Sequence, residues 1–327
     1  MKFLSGLMGA TALSLLAMTG QAAEVKVALN GADDPSSNAE AAFAHGFADA
    51  LNGTEFDVAI FPSDTLGSEK ERYDQVSQGL IEVNLAALSS AFGQSELAKG
   101  IQLPFFFQSR DELDRVIAET DMLERVNAPL LLNGVKIVGL NYIGMDIGIH
   151  NSKKPISKMS DLSDLRFRAL NSEQLALQEA LGTTGTIISW SEVANALQTG
   201  VADGYFNPPN SAIRTGHTEF LKHFTPVDLT PSTRVVMISS DWYDALSEEE
   251  KATVDEALAA GVQANRDWVN AWANEVRTKH EAAGVTITEL EPGEREKMSE
   301  VARETWTTSL DAEQLQLWKD AQASVAQ

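Results

Sequence analysis

"SEEEKATVDEALAAGVQANRDWVNAWANEVRTKHEAAG", residues 247–284, decides the fold. It holds no proline, and its glycines are Gly261 and the terminal Gly284. Helical spacing therefore runs for about ten turns. Glu248, Glu249 and Glu250 follow Ser247 at its start, where acidic groups complement the helix dipole. Such a length predicts either one helix crossing between two lobes or two abutting helices.

The flanking sequence alternates strand and helix. "EVKVALNG" (24–31), "FDVAIFP" (56–62), "VNLAALSS" (83–90), "VKIVGLNYI" (135–143), "LRFRAL" (165–170), "GTIIS" (185–189) and "STRVVMISS" (232–240) read as strands. Helical spacing lies between them; one helix opens on Ser109 with Glu112 in the capping-box position. "ADGYFNPPNS" (202–211) reads as a turn-rich loop, because Asp203-Gly204 and two prolines oppose regular structure. This grammar predicts an α/β protein of two connected lobes, with mixed sheets covered by helices on both faces and parallel pairing where strand and helix alternate. The ligand crevice belongs at the carboxyl ends of the strands.

Composition narrows the function. Lys2, the apolar run Leu13–Met18 and the small residues to Ala23 form a signal-peptide pattern, cleaved near Ala22 or Ala23. The run is too short to anchor the chain in a bilayer. With 0 Cys there is no disulfide, thiolate metal site or cysteine nucleophile. Twenty-five basic against 47 acidic residues give a net charge of -22, which argues against nucleic acid and anionic membranes as partners. No nucleophile elbow, zinc-binding helix, phosphate loop or dinucleotide fingerprint is present. The five histidines have no convincing metal spacing, so neither cofactor nor metal is expected. The reading is not an enzyme.

"DLSDLRFRAL" (161–170) sets two arginines one residue apart in this acidic chain. A buried arginine is either paired structurally or a fork for an anion. In a strand, Leu165, Phe167 and Ala169 share one face, and Arg166, Arg168 and Leu170 the other. Ser89, Ser90 and Asn30 follow early strands, where cleft contacts are common. Trp190 either walls a pocket or fills a core.

Taken together, "FPSDTLGSEKE" (61–71), "LPFFF" (103–107), "NSKKPISKMSDLSDLRFRAL" (151–170) and "WSEVANALQTGVADGYFNPP" (190–209) resemble the solute-binding proteins of tripartite ATP-independent periplasmic (TRAP) transporters, DctP type. "DWYDALSEEEKATVDEA" (241–257) fits as well, and the likeness spans the mature chain. The resemblance implies a two-lobed periplasmic binding fold with a long crossing helix. The implied limits are 1–23 for the signal peptide, 24–147 plus 235–273 for lobe I, and 148–234 plus 274–327 for lobe II. It implies a periplasmic, monomeric receptor that closes on a small organic anion and delivers it to the TRAP permease subunits, without entering the membrane itself. A sensory binding protein is the alternative, and a periplasmic enzyme a more distant one.

By the same resemblance, Arg168 forks the ligand's carboxylate and Arg166 is structural, which requires a twist or bulge in the strand. Asn207 and Glu71 match further ligand positions. Members binding sialic acid or C4-dicarboxylates often carry another arginine just before the N-S-K-x-P stretch; here "GMDIGIH" offers Ile147. Tyr205 and Phe206 stand where polar residues are frequent. These departures point to a monocarboxylate with an apolar or aromatic body.

Overall fold

The computed structural model describes residues 23–326, so the signal-peptide expectation falls outside the described residues except at Ala23. The strands are β1 (Ala23–Ala28), β2 (Phe56–Phe61), β3 (Val83–Ala87), β4 (Val135–Tyr142), β5 (Gly148–Asn151), β6 (Arg166–Ala169), β7 (Thr184–Ile187), β8 (Gly204–Asn207), β9 (His223–Thr225), β10 (Thr233–Ser239) and β11 (Thr286–Ile287). They form two sheets, ordered β2-β1-β3-β10-β4 and β11-β9-β5-β8-β6-β7.

Both sheets are mixed. In the first, β1 runs parallel to β2 and β3, while β10 inserts antiparallel to β3 and β4. The mixed sheets expected are thus found, with β10 returning from the second sheet to enter antiparallel between β3 and β4. The expected loop at 202–211 is corrected: Gly204–Asn207 is strand β8, paired with β5 and β6. The prolines lie just beyond it. Gly204 is required there, since a Cβ would sit 1.9 Å from the His150 carbonyl oxygen.

Apolar alternation puts a core on each face of the first sheet. Val25, Val27, Leu85 and Val236 pack with Phe43 and Phe47 of helix Ala39–Leu51. Ile137, Val235 and Met237 pack on the opposite side with Val126, Leu113 and Trp318. The second sheet buries Phe167 and Phe206 on one face, Tyr205 with Val193 and Leu221 on the other.

The decisive stretch is a single helix, Glu248–Ala282, of 35 residues. Ser247 and Glu250 close its capping box. Its first half packs on helix Ala39–Leu51 so closely that a Cβ on Gly261 would lie 2.8 Å from the Phe43 ring, and one on Gly46 2.6 Å from Ala264 Cβ. Its far end brings His280 to Phe224 of the second sheet, ring centroids 5.2 Å apart. One helix therefore touches both lobes.

The C-terminal helix Ala312–Val325 differs from its expected place with lobe II. Leu315, Trp318, Ala321 and Val325 join the first sheet's apolar cluster, and the Trp318 indole donates to the Leu97 carbonyl at 3.0 Å. Among the described residues, no helix is long and apolar enough to cross a membrane.

Candidate functional site

β1, β3, β4, β6 and β8 deliver their carboxyl ends to the gap between the sheets, and the antiparallel β10 and β5 their amino ends. On β6, Arg168 stands opposite Thr186 of β7 and Tyr205 of β8. Phe167 and Phe206 meet on the other face, centroids 5.0 Å apart. Alternation therefore puts Arg168, Tyr205 and Asn207 on one face.

The expected twist or bulge between the two arginines is absent. The β6–β7 register runs unbroken from Arg166 to Ala169. Both arginines share a face and separate along the strand instead. Arg166, at its start, forks Asp203 with Nε and Nη2, each bond 3.0 Å. Arg168 lies nearer the carboxyl end and is 2% exposed. Its Nε donates to the Ile188 carbonyl at 2.9 Å, and its guanidinium carbon lies 5.5 Å from the Trp190 ring centroid. Among the described residues it has no ion-pair partner. Burial lowers its pKa to about 10, partly offset by Tyr205 and Glu69. At neutral pH it is a desolvated cation lacking an anion.

The opposite wall carries a pair of acids around a third arginine. Arg234 of β10 contacts both Glu40 and Glu69. Burial works against its charge, but the two carboxylates hold its pKa above the usual value. Burial alone would raise the Glu69 pKa; Arg234 outweighs that and lowers it. Glu69 also accepts from the Ala87 backbone N–H at 3.1 Å.

Between these walls lies a cavity of about 120 Å³, flanked by Asn207 and Arg234. Phe92, Leu103, Ile143, Ile147 and Leu170 give it an apolar lining. The Arg168 side chain is not part of this lining; the cavity adjoins it through Leu170 and Asn207.

The other expected residues divide. Ser89 and Ser90 sit half-buried in the 3-10 turn after β3, and among the described residues their hydroxyls have no protein partner. Trp190 is 36% exposed beside Arg168, with its ring 5.8 Å from that of Tyr205. Tyr205 is fully buried, its hydroxyl oxygen 3.3 Å from His217 Nδ1. Phe206 belongs to the core. Asn30 is committed: its side-chain oxygen accepts from Arg72, and its N–H donates to Glu40 at 2.8 Å.

Glu71 is also used differently from the expectation. It is exposed, and its carboxylate accepts from the Ser68 N–H at 2.8 Å in a capping box. The acid facing the gap is Glu69, two residues earlier. Ser68-x-x-Glu71 is the signal that distinguishes them. Arg214, which ends the short helix Asn210–Arg214, was also missed. Its Nη1 lies 3.3 Å from where a Cβ on Gly31, in the loop after β1, would stand.

The profile of bacterial extracellular solute-binding protein family 7 (DctP) matches residues 27–313. The chain belongs to this family. Its expected status as a binding protein rather than an enzyme agrees with that membership. The chain is 27% identical to the C4-dicarboxylate-binding periplasmic protein DctP of Rhodobacter capsulatus, over 85% of its length and 83% of the relative's. It is 26% identical to the ectoine/5-hydroxyectoine-binding periplasmic protein UehA of Ruegeria pomeroyi, over 99% and 90%. Its fold matches that of a TRAP periplasmic solute binding protein from Roseobacter denitrificans with bound β-D-glucuronate, at TM-score 0.80 and 24% identity, covering 91% and 98%. Among the described residues no cluster of three or more His, Asp or Glu is placed to hold a metal ion.

Proposed function

We propose that this protein captures a small monocarboxylate with an apolar body in the cleft between its sheets and hands it to a TRAP permease. The names of its relatives span C4-dicarboxylates, ectoine and 5-hydroxyectoine, and β-D-glucuronate, so its own residues must choose among them. The observation that carries the choice is Arg168, buried without an anion, beside a chamber lined by Ile147 and other apolar side chains. A carboxylate takes the guanidinium fork through two charge-assisted hydrogen bonds, and the apolar body fills the chamber. Asn207, Ser89, Ser90 and Trp190 complete the contacts in this reading.

Charge supports one carboxylate rather than two. Arg168, Arg214 and Arg234 face Glu40 and Glu69, which leaves one positive charge to be balanced. The lobes, with boundaries near residues 147 and 234, close on the ligand as a monomeric receptor exported to the periplasm.

Calorimetric titration with aliphatic and aromatic monocarboxylates, dicarboxylates and sulfonates tests this, with Arg168→Ala in parallel. Losing one partner of a desolvated charge pair costs roughly 2–5 kcal/mol of binding. A monocarboxylate that binds wild type and not the variant is the expected result. Preference for dicarboxylates, or equal binding by the variant, overturns the reading.

A further inference from the structure

The chain holds three Asn-Gly pairs, at Asn30-Gly31, Asn52-Gly53 and Asn133-Gly134. Glycine has no side chain to shield its backbone nitrogen, so that nitrogen can reach the preceding side-chain amide wherever both groups are free to move. What holds the two groups decides whether they meet, and the three pairs differ in this.

Asn52 follows the helix Ala39–Leu51 at φ -62° and ψ 123°, and Gly53 has φ 84°. The Thr54 N–H donates to the Leu51 carbonyl at 3.1 Å, which closes a type II turn. That single closing bond leaves the Gly53 N–H unused. Among the described residues, neither it nor the Asn52 side chain has a hydrogen-bond partner. Both residues are exposed, and a Cβ on Gly53 would meet nothing within 4 Å. The other two pairs are held. The Asn30 side-chain oxygen accepts from Arg72, its N–H donates to Glu40 at 2.8 Å, and a Cβ on Gly31 would lie 2.6 Å from Asn38 Nδ2. Asn133 Nδ2 donates to the Pro129 carbonyl at 3.0 Å, and the Gly134 N–H to the Leu131 carbonyl at 3.2 Å.

We propose that Asn52 is a site of spontaneous deamidation, and that the fold protects Asn30 and Asn133 from the same reaction. Hydroxide takes the Gly53 amide proton, and the nitrogen attacks Asn52 Cγ. The Cγ–Nδ2 bond breaks, the leaving nitrogen takes a proton from water, and ammonia departs. A five-membered succinimide remains. Water then opens it: cleavage at Cγ gives aspartate, and cleavage at the Asn52 main-chain carbonyl carbon gives isoaspartate. Either way, the new carboxylate joins Asp49 and Asp57 on one surface depression, at the negative end of the helix dipole. It therefore opposes the helix's last turn, where the Asn52 N–H reaches the Asp49 carbonyl at 3.3 Å. Strand β2 starts just beyond and runs parallel to β1 toward the gap, so the modified turn lies at the end of the lobe away from the ligand.

The test ages the folded mature protein at mildly alkaline pH, with Asn52→Gln and a urea-unfolded sample in parallel. Each Asn-Gly peptide is then followed by mass spectrometry, after digestion at acid pH so that handling adds no product. In the folded protein the Asn52 peptide should gain one mass unit and split into aspartate and isoaspartate forms. The Asn30 and Asn133 peptides should react at least about tenfold more slowly, because each must first open locally. In urea all three should react at similar rates. Asn52→Gln should stay a single species on ion exchange, since its longer side chain would have to close a six-membered ring.

An Asn52 peptide that stays intact overturns the proposal, as does one that reacts no faster than the other two in the folded protein. A difference that persists in urea would trace the selectivity to neighbouring sequence rather than to the turn, and so remove the role of the fold. Acidic species that accumulate in Asn52→Gln as fast as in wild type would assign the reaction to another residue.

Discussion

Lys99 and Glu173 meet across the cleft, Nζ to Oε1 at 3.3 Å. Lys99 lies in the segment Glu96–Gln102, which packs into the first sheet's apolar cluster, and Glu173 opens the helix Ser172–Ala180 over the second sheet. Both residues line the apolar chamber. The pair therefore exists only while the lobes are together.

Glu173→Gln should loosen the closed form. A partly exposed ion pair contributes at most about 1 kcal/mol, so affinity should drop no more than about fivefold. The loss should appear mainly as faster ligand release and shrink as salt is raised. Stopped-flow release rates at low and high salt check this; equal rates for variant and wild type at low salt would show that the pair does not hold the lobes.

Arg166→Ala should separate folding from binding. Asp203, its side chain 3% exposed, accepts the arginine fork and the Arg166 backbone N–H, with Lys153 farther off at 3.5 Å. Removing the fork leaves a desolvated carboxylate short of donors, so the melting temperature should fall. Binding should persist, since the arginine is committed to Asp203 and does not line the chamber. Calorimetry on both Arg166→Ala and Arg168→Ala should show opposite patterns: one loses stability, the other its ligand. A loss of binding in Arg166→Ala without a change in melting would reverse the two assignments.

His150 and His280 set an acid limit. Both are fully buried, with rings 5.9 Å apart. Burial lowers the pKa of His150 to about 3, helped by the His280 charge, and that of His280 to about 4. In the unfolded chain each titrates near 6.5. Their neutral forms thus favour the fold above about pH 6.5, and stability declines as pH falls from there toward 4. Each full unit costs about 1.4 kcal/mol per histidine, or about 2 kcal/mol each between pH 7 and 5. Urea unfolding at those two pH values measures it; a flat profile would mean the rings ionise inside the fold.

The sequence disclosed what rests on long, regular patterns. Val25, Val27 and Leu29 alternate and stand buried on or just after β1; the unbroken helical spacing of 247–284 is one helix in fact. Strand β8 was hidden because it spans four residues between two turn signals, and its extended form comes from pairing with β5 and β6 rather than from local preference. Arg168 could be singled out because a cation in an apolar strand needs a reason. Arg214 carried no such mark: its importance comes from the loop beside Gly31, contributed by a distant part of the chain. Glu71 and Glu69 differ only in which one the cap engages, and Ser68 was the available clue.

The chain passes between the sheets from Tyr142 to Gly148, again from Thr225 to Thr233, along the long helix, and once more before the helix Ala312–Val325 returns to the first sheet. Neither lobe is a contiguous stretch of polypeptide, so neither can be finished during synthesis before most of the chain has been made. The receptor should accordingly melt in one cooperative transition, and a nascent chain released before residue 312 would leave the surface meant for Trp318 uncovered.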